Sequence, residues 1–519
     1  MRTPATPLGF GLLSLLLRIS TASQVRLGSL GGTREDPVDA SFWCDRGCYE
    51  FATQQTYRSF NGAAPKLKVL VSDERCDGGL TFLEPYGWQA YGSGAATYDD
   101  KGDLIWKPTQ WAGVRDMKVQ RFDDALYMTF WIPDEGSGVG HYIMLDDTYR
   151  VFKEIRPAGG MRGDVKNLLI TSNGTAILTI DPETRTHSFR AGSTTRRNYG
   201  SVFQEIDLHS DKLIFEWHAM DHLNASESII DSKGSCRSGR HASDDMNPFS
   251  IVAMDKNPES GAYLISSPCT RTISSVSAED GHLQWQLGGA HNSFSGLSDD
   301  LATALAVHQH ASWDTLGDSA YPTLSILSGG RGVIVRLDLG EMAVVSASVP
   351  QGRTQPLSTY GDASPAQVLP NGNVLLSGGV NLGFTEYSRD GKQLCEMRLD
   401  HTRGSTRKGR GREHRASKFP WVGRPHTKPS IVVRPETGGD ELGGSLYVSW
   451  NGATEVGAWV LQSGPSADGN AFINHCTVER HGFETRIPLP LNSENHLRVL
   501  ALDKDRRFIG TSDSVPRQG

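Results

Sequence analysis

The stretch AVHQHASW, Ala306 to Trp313, places His308 and His310 on either side of one glutamine. On a regular strand, residues i and i+2 project from the same face, so both imidazoles would look one way. Such a pair can bind a metal, act as a nucleophile with its helper, or sit as two polar residues on a wet strand. Spacing alone favours the last. A zinc site needs a third ligand and an open position. Asp207, His209, His218 and His222 are too scattered to nominate one, so no metal or other cofactor is expected.

The surrounding chain is built from repeated phrases. TYDDKGDLIWKP (97–108), MLDDTYRVFKEI (144–155) and EIDLHSDKLIFEWHA (205–219) each read as strand, polar turn, strand. The phrase returns as SVSAEDGHLQWQLGG (275–289), RLDLGEMAVVSASV (336–349) and EYSRDGKQLCEMRL (386–399). A second phrase usually precedes it: DALYMTFW (124–131), NGTAILTI (173–180), SGAYLIS (260–266), YPTLSIL (321–327) and NGNVLLSGG (371–379). A two-hairpin unit recurring at roughly 45–70 residues is the signature of a β-propeller, and six copies predict six blades. The competing reading is a large sandwich with accidental similarity.

After the sixth copy comes RGSTRKGRGREHRASK (403–418), which reads as a solvated basic loop rather than a polyanion site. From Pro429 the texture changes to short alternating strands: LYVSWNG, AWVLQSG, FETRIPL and HLRVLALD. These predict a small β-sandwich of fibronectin-III or immunoglobulin type. The expected organisation is therefore all-β: a leader over 1–23, a propeller over 24–427 and a sandwich over 428–519.

Composition sets the class. The 519 residues carry 57 Gly and 25 Pro and are 37% hydrophobic, which suits many strands and turns. The opening MRTPATPLGFGLLSLLLRISTASQV has a positive start at Arg2, an apolar run from Leu8 to Leu17 and a small-residue exit before Gln24. That is the pattern of a secretory signal peptide, and its apolar run is too short to span a bilayer. Removing Arg2 and Arg18 takes the formal charge from −7 to −9, which argues against a nucleic-acid partner. No later run is apolar enough for a membrane span. Asn173 and Asn224 head glycosylation triplets, with Asn224 favoured because Asn173-Gly174 falls in a tight hairpin turn. The 7 cysteines are odd in number, so at least one stays free or pairs between chains, and the connectivity is open. A secreted glycoprotein is the expectation.

The phrases FQEIDLHSDKLIFEWHAMDHL (203–223), LQWQLGGAHNSF (283–294), GDASPAQVLPNGNVLLSGG (361–379), FPWVGRP (419–425) and LYVSWNGATEV (446–456) resemble the fungal branch of the arylsulfotransferase family. The resemblance implies a six-bladed propeller with a central-channel site. It also implies PAPS-independent transfer of a sulfuryl group between phenolic compounds, through a transiently sulfurylated histidine. The family's nucleophile falls in a Gln-His-Asp phrase, matched here by Gln309-His310-Ala311, so the resemblance makes His310 the nucleophile. A nitrogen nucleophile would split one hard transfer into two easier ones.

Most of the other motif positions are substituted. Lys166 stands where the family has its first histidine, and Phe249-Ser250-Ile251-Val252-Ala253 replaces a Phe-His-Ile-Asn-Ser phrase. Ser266-Ser267-Pro268-Cys269 replaces Ser-Ser-Arg-His, which removes an oxyanion-binding arginine. Three readings follow. In a working transferase, Lys166 supplies charge, Arg271 replaces the arginine, His308 acts as base and Ser250 lines the pocket. In a repurposed propeller, the pocket binds or tailors another small molecule, as in secondary metabolism. In the third reading, the protein only binds. The partner in the first two is a small phenolic or aryl-sulfate-like molecule.

Overall fold

The computed structural model describes residues 53–517, except 87–93, 135–139, 162–163, 185–189, 192–193, 196–197, 230–246, 307, 315–320, 329–330, 349–366, 378–382, 401–412, 436–443, 468 and 470. The leader therefore lies outside the described residues. None of the described helices is long and apolar enough to cross a membrane.

Six antiparallel sheets follow one another in the strand order 1-2-3-4 from inside to outside. The first blade comprises Arg115–Phe122, Ala125–Pro133, Gly140–Leu145 and Val151–Ile155. The second comprises Asp164–Ile170, Thr175–Asp181, Val202–Asp207 and Leu213–His218. The third comprises Ala253–Lys256, Tyr263–Ser267, Thr272–Val276 and Leu283–Gly288, and the fourth His308–Trp313, Thr323–Ser328, Arg331–Asp338 and Ala343–Ser348. The fifth runs Gln367–Val368, Val374–Ser377, Gly383–Tyr387 and Gln393–Leu399, with Leu67–Val71 added as a fifth, outer strand.

The sixth blade closes the ring with strands from both ends of the propeller sequence. Glu413–Phe419 is its innermost strand, paired with Leu80–Tyr86, followed by Ala96–Tyr98 and Leu104–Trp106. This corrects the expectation of a basic loop over 403–418. Residues 413–418 form a strand because alternate side chains are buried: Ala416 packs in the core and Lys418 pairs with buried Glu386. Residues 403–412 lie outside the described set.

All six repeated hairpins are the outer halves of blades, and five apolar clusters pack blade against blade. The tryptophans ending the outer strands show why they recur. Trp217 of the second blade is buried and donates from Nε1 to Gly281 O at 2.9 Å, in the outer hairpin turn of the third blade. Gly281 has φ +76, and a Cβ there would meet Trp217 Cδ1 at 3.1 Å. The turn conformation and the close approach both call for glycine.

Polar links also join neighbouring blades around the ring. Arg415 reaches Asp116, Lys118 reaches Asn167, and Asn167 donates to Met254 O. Asp255 accepts the Trp313 N–H at 2.7 Å, Arg389 pairs with Asp314, and the Gln367 amide bonds both the N–H and the carbonyl of Lys418. Every interface between consecutive blades carries at least one such link.

The second body has two sheets over one core. Ser430–Arg434, Ser445–Ser449 and Glu484–Pro488 form one; Ile473–Glu479, Val456–Gly464, His496–Asp503, Phe508–Thr511 and Val515–Pro516 form the other. Leu446, Val448 and Ile487 meet Trp459, Leu461, Leu497 and Val499 between them. The WNGATEV phrase, 450–456, fastens this body to the propeller. Gly452 donates to Ile105 O at 2.8 Å and accepts from the Tyr149 hydroxyl at 2.8 Å. Its φ is +93, and a Cβ would lie 2.5 Å from the Tyr149 ring, so only glycine fits.

Candidate functional site at the start of the innermost strands

In each blade the innermost strand runs antiparallel to the second, so its start lies at the end where the second strand turns into the third. Ala253 opposes Ser266, Arg115 opposes Trp131 and His308 opposes Ser328. Lys166, Ser250, Arg271, His308 and His310 all fall toward that end of the propeller. Beyond this shared end, their settings differ.

His310 is half-buried on the innermost strand of the fourth blade, opposite Leu327. Ala311 and Trp313 pack into the core shared with the third blade, so alternation puts His310 on the other face. The expectation that His308 and His310 share a face rested on a regular pleat, which the strand does not have. The pairing slips by one residue between them, as at a β-bulge, and alternation no longer aligns the two. The side chain of His308 lies outside the described set, as does that of Lys166 on the innermost strand of the second blade.

Ser250 is a buried turn residue rather than a strand residue, with φ +39. The Asn247 carboxamide oxygen accepts its N–H at 2.9 Å, while Phe249 and Ile251 on either side enter the core. Arg271 closes the Pro268–Arg271 turn between the second and third strands of its blade, exposed, with φ +58. It does not sit on an innermost strand. Cys269, where the family phrase has histidine, is disulfide-bonded, and Ala311, where it has aspartate, is 1% exposed in the core.

Besides Lys166, innermost strands at this end carry cations that motif reasoning missed. Arg115 sits with its guanidinium 5.3 Å from the Trp131 ring centroid. Lys118 pairs with Asp116 at 3.0 Å and Arg415 with the same carboxylate at 3.2 Å. The Tyr142 hydroxyl also donates to Asp116, at 2.7 Å. Asp116 is buried with φ +53 inside a slipped stretch of pairing, and buried Glu84 accepts the N–H groups of Asp116 and Met117. Burial pushes Glu84 up to about 7, and nearby Asp116 adds to this against the pull of Arg415. Burial drives Asp255 up to about 6. Two signals could have found the cluster: charged residues opening the strand RDMKVQRF, and Arg415 inside the supposed loop.

No group of three metal-ligating side chains forms among the described residues. His209 instead lies on the Phe122 ring, and His218 bonds Glu216 at 2.8 Å. A crevice of about 200 Å³ lies elsewhere, lined by Asp73, Cys76, Asp77, Glu386, Cys395 and Lys418. Asn224 and Asn173 are exposed, whereas Gly174 and Thr175 of the latter sequon are buried. Asn224 caps a short turn by accepting from Ser226 N and Oγ, and Asn173 lies in the turn at Gly174, φ +74. Cys76 and Cys395 are disulfide-bonded, and Cys476 is the free cysteine among the described residues.

Among solved structures, the chain is similar to a protein of unknown function from Bacteroides caccae, at 12% identity over 66% of this chain and 99% of that one, TM-score 0.38. It is similar to catalytically inactive virginiamycin B lyase from Staphylococcus aureus with quinupristin, at 9% identity over 64% and 88%, TM-score 0.33. It is also similar to the major allergen Mala s 1 of Malassezia sympodialis, at 11% identity over 64% and 86%, TM-score 0.32. No curated protein matches it. Residues 118–400, from the innermost strand of the first blade to the end of the fourth strand of the fifth, match the arylsulfotransferase (ASST) family. That stretch is more than half of the chain and includes His310, and the chain belongs to this family.

Proposed function

We propose that the protein is a secreted, glycosylated propeller of the fungal arylsulfotransferase branch that moves a sulfuryl group between phenolic compounds through His310. The observation that carries this reading is the placement of His310, half-buried at the start of an innermost strand within the family-matching region. In the first step an imidazole nitrogen attacks sulfur of an aryl sulfate, the ester O–S bond breaks and the phenolate leaves. In the second, an acceptor phenol attacks the same sulfur, the N–S bond breaks and the phenol's proton passes to a base, the role assigned to His308. Disulfide-bonded Cys76, Cys395 and Cys269 support an oxidising compartment, in keeping with the leader pattern.

A second reading is a propeller of the same ancestry that now binds or tailors a different small molecule. It is favoured by three family positions absorbed into the scaffold: Ser250 in a buried turn, Cys269 in a disulfide and Ala311 in the core. Losing one preorganised donor typically costs about a hundred- to a thousandfold in rate, so unreplaced losses would leave little turnover.

The two separate in one experiment. The purified secreted protein is incubated with a chromogenic aryl sulfate and a phenol, and the intact mass is measured. Turnover with a sulfuryl adduct that disappears in His310→Ala supports transfer. Turnover unchanged in His310→Ala removes the nucleophile assignment. Absence of both turnover and adduct, with melting raised by a phenolic ligand, supports the repurposed pocket.

A further inference from the structure

The unassigned charge cluster between the first and sixth blades has the makings of a ligand site. Asp116 bridges two cations, with Oδ1 on Arg415 and Oδ2 on Lys118. Glu84 also lies within electrostatic reach of Arg415, and Asp255 within reach of Lys118, and burial pushes both carboxyls upward. The cations are the accessible part: the side chains of Lys118 and Arg415 are 26% and 15% exposed, that of Asp116 only 6%. The Tyr142 hydroxyl donates to the Asp116 carboxylate, and Glu84 accepts the Asp116 backbone N–H.

A second observation is independent of charge. Asp116 adopts φ +53, in the left-handed region that costs a non-glycine residue energy, inside a slipped stretch of an innermost strand. Strain and bulges of this kind persist where they aim a side chain at something. Here they turn a carboxylate toward two cations on adjoining innermost strands.

The ammonium of Lys118 also has acceptors it can exchange. Besides Asp116 it bonds two neutral oxygens across the blade interface, the Asn167 carboxamide and the Leu168 carbonyl at 3.1 Å. An anionic oxygen in place of the Asn167 carboxamide would make a charge-assisted bond roughly twice as strong.

We propose that Lys118 and Arg415, set by Asp116, form an oxyanion subsite that holds the sulfate group of an ester ligand from the sixth and first blades. It supplies charge from the innermost strands of the sixth and first blades, where Arg271 does not sit. The proposal rests on the sulfuryl-transfer reading for its ligand class, while the binding chemistry applies to free sulfate as well.

The test titrates the full-length protein with inorganic sulfate and with 4-nitrophenyl sulfate, against nitrobenzene as the control that carries neither a sulfate nor an ionisable group, by calorimetry. Both sulfates should bind the wild type, and Lys118→Gln should weaken both by about ten- to a hundredfold, the range of a lost charged hydrogen bond. Asp116→Asn is the discriminating variant. Asparagine tolerates the left-handed backbone and removes the competing negative charge, so both sulfates should bind several-fold more tightly. A brace that merely joins blades predicts no gain. Unchanged affinity in both variants, or no sulfate binding by the wild type, overturns the subsite. Wild-type turnover with these affinities unchanged sinks the subsite and spares the transferase reading. The expected affinity changes without turnover or adduct do the reverse.

Discussion

The Asn451 carboxamide brackets the Lys107 peptide, accepting its N–H at 2.9 Å and donating to its carbonyl at 3.0 Å. One side chain from the second body thus completes the hydrogen bonding of a propeller residue that leaves the sixth blade. The peptide is buried, since Lys107 is 2% exposed, so losing both bonds leaves a donor and an acceptor without water. Asn451→Ala should cost on the order of 2–4 kcal/mol, from two unmade buried bonds. Denaturant unfolding measures it, and a change under 1 kcal/mol would show that the two bodies are held elsewhere. Sulfate affinity should stay put, because the innermost strand starts are not touched.

The Cys76–Cys395 bridge joins positions 319 residues apart and ties the segment entering the closing blade to the outer part of the fifth. Asp77 N–H bonds Glu386 at 2.7 Å just beyond it, so the bridge lies beside the ring's closure. Removing a native disulfide typically costs about 2–5 kcal/mol, more for longer loops. Cys76→Ser with Cys395→Ser should lower stability by that amount and make residues 72–79 an early cleavage site for a protease. Equal stability with the segment still protected would mean that the strand pairing alone closes the ring.

Blade number was legible because each outer hairpin repeats its own turn glycine or aspartate and its own alternation. The closing blade was half hidden, because its innermost strand lies more than 300 residues after its other three. Nothing local in GREHRASK marks Ala416 and Lys418 as buried; that follows only from Leu80–Tyr86 and Glu386 arriving beside them. The site was legible only where a motif named it. Ser250, Arg271 and Ala311 were placed by phrase-matching, and their burial or exposure depends on Asn247, the Pro268 turn and the third-blade core. WNGATEV has a different local role: Asn451 and Gly452 bond propeller residues Lys107, Ile105 and Tyr149.

Glu84 gives the folded protein a particular dependence on pH. Its folded value lies near 7, above the unfolded carboxyl's ordinary value, so between about 4.5 and 7 the native state keeps a proton that the unfolded state gives up. Stability therefore falls as pH rises through that window and levels off above it, by up to about 3 kcal/mol from this group. Asp255, near 6, acts in the same direction over a similar range. Glu84→Gln should flatten the profile of unfolding free energy from pH 5 to 8. An unaltered slope in the variant would mean that Glu84 ionises as an ordinary carboxylate.

Lys418 and Glu386 form a buried pair at 2.9 Å, with side chains 6% and 1% exposed, joining the innermost strand of the sixth blade to the third strand of the fifth. Lys256 and Glu205 occupy the corresponding places between the third and second blades, at 2.8 Å. Taking such charges out of water is costly, and their attraction offsets that cost only while both are present. Lys418→Met alone should therefore destabilise by about 3–5 kcal/mol, because Glu386 is left charged with Asn373 and the Asp77 N–H as its remaining donors. Adding Glu386→Leu should restore most of the loss, since an apolar pair of similar volume avoids the desolvation cost altogether. Unfolding of the two single variants and the double variant in a mutant cycle gives the coupling energy directly. A double variant as unstable as the sum of the singles would show that the pair contributes no coupling and that packing at each position accounts for the cost.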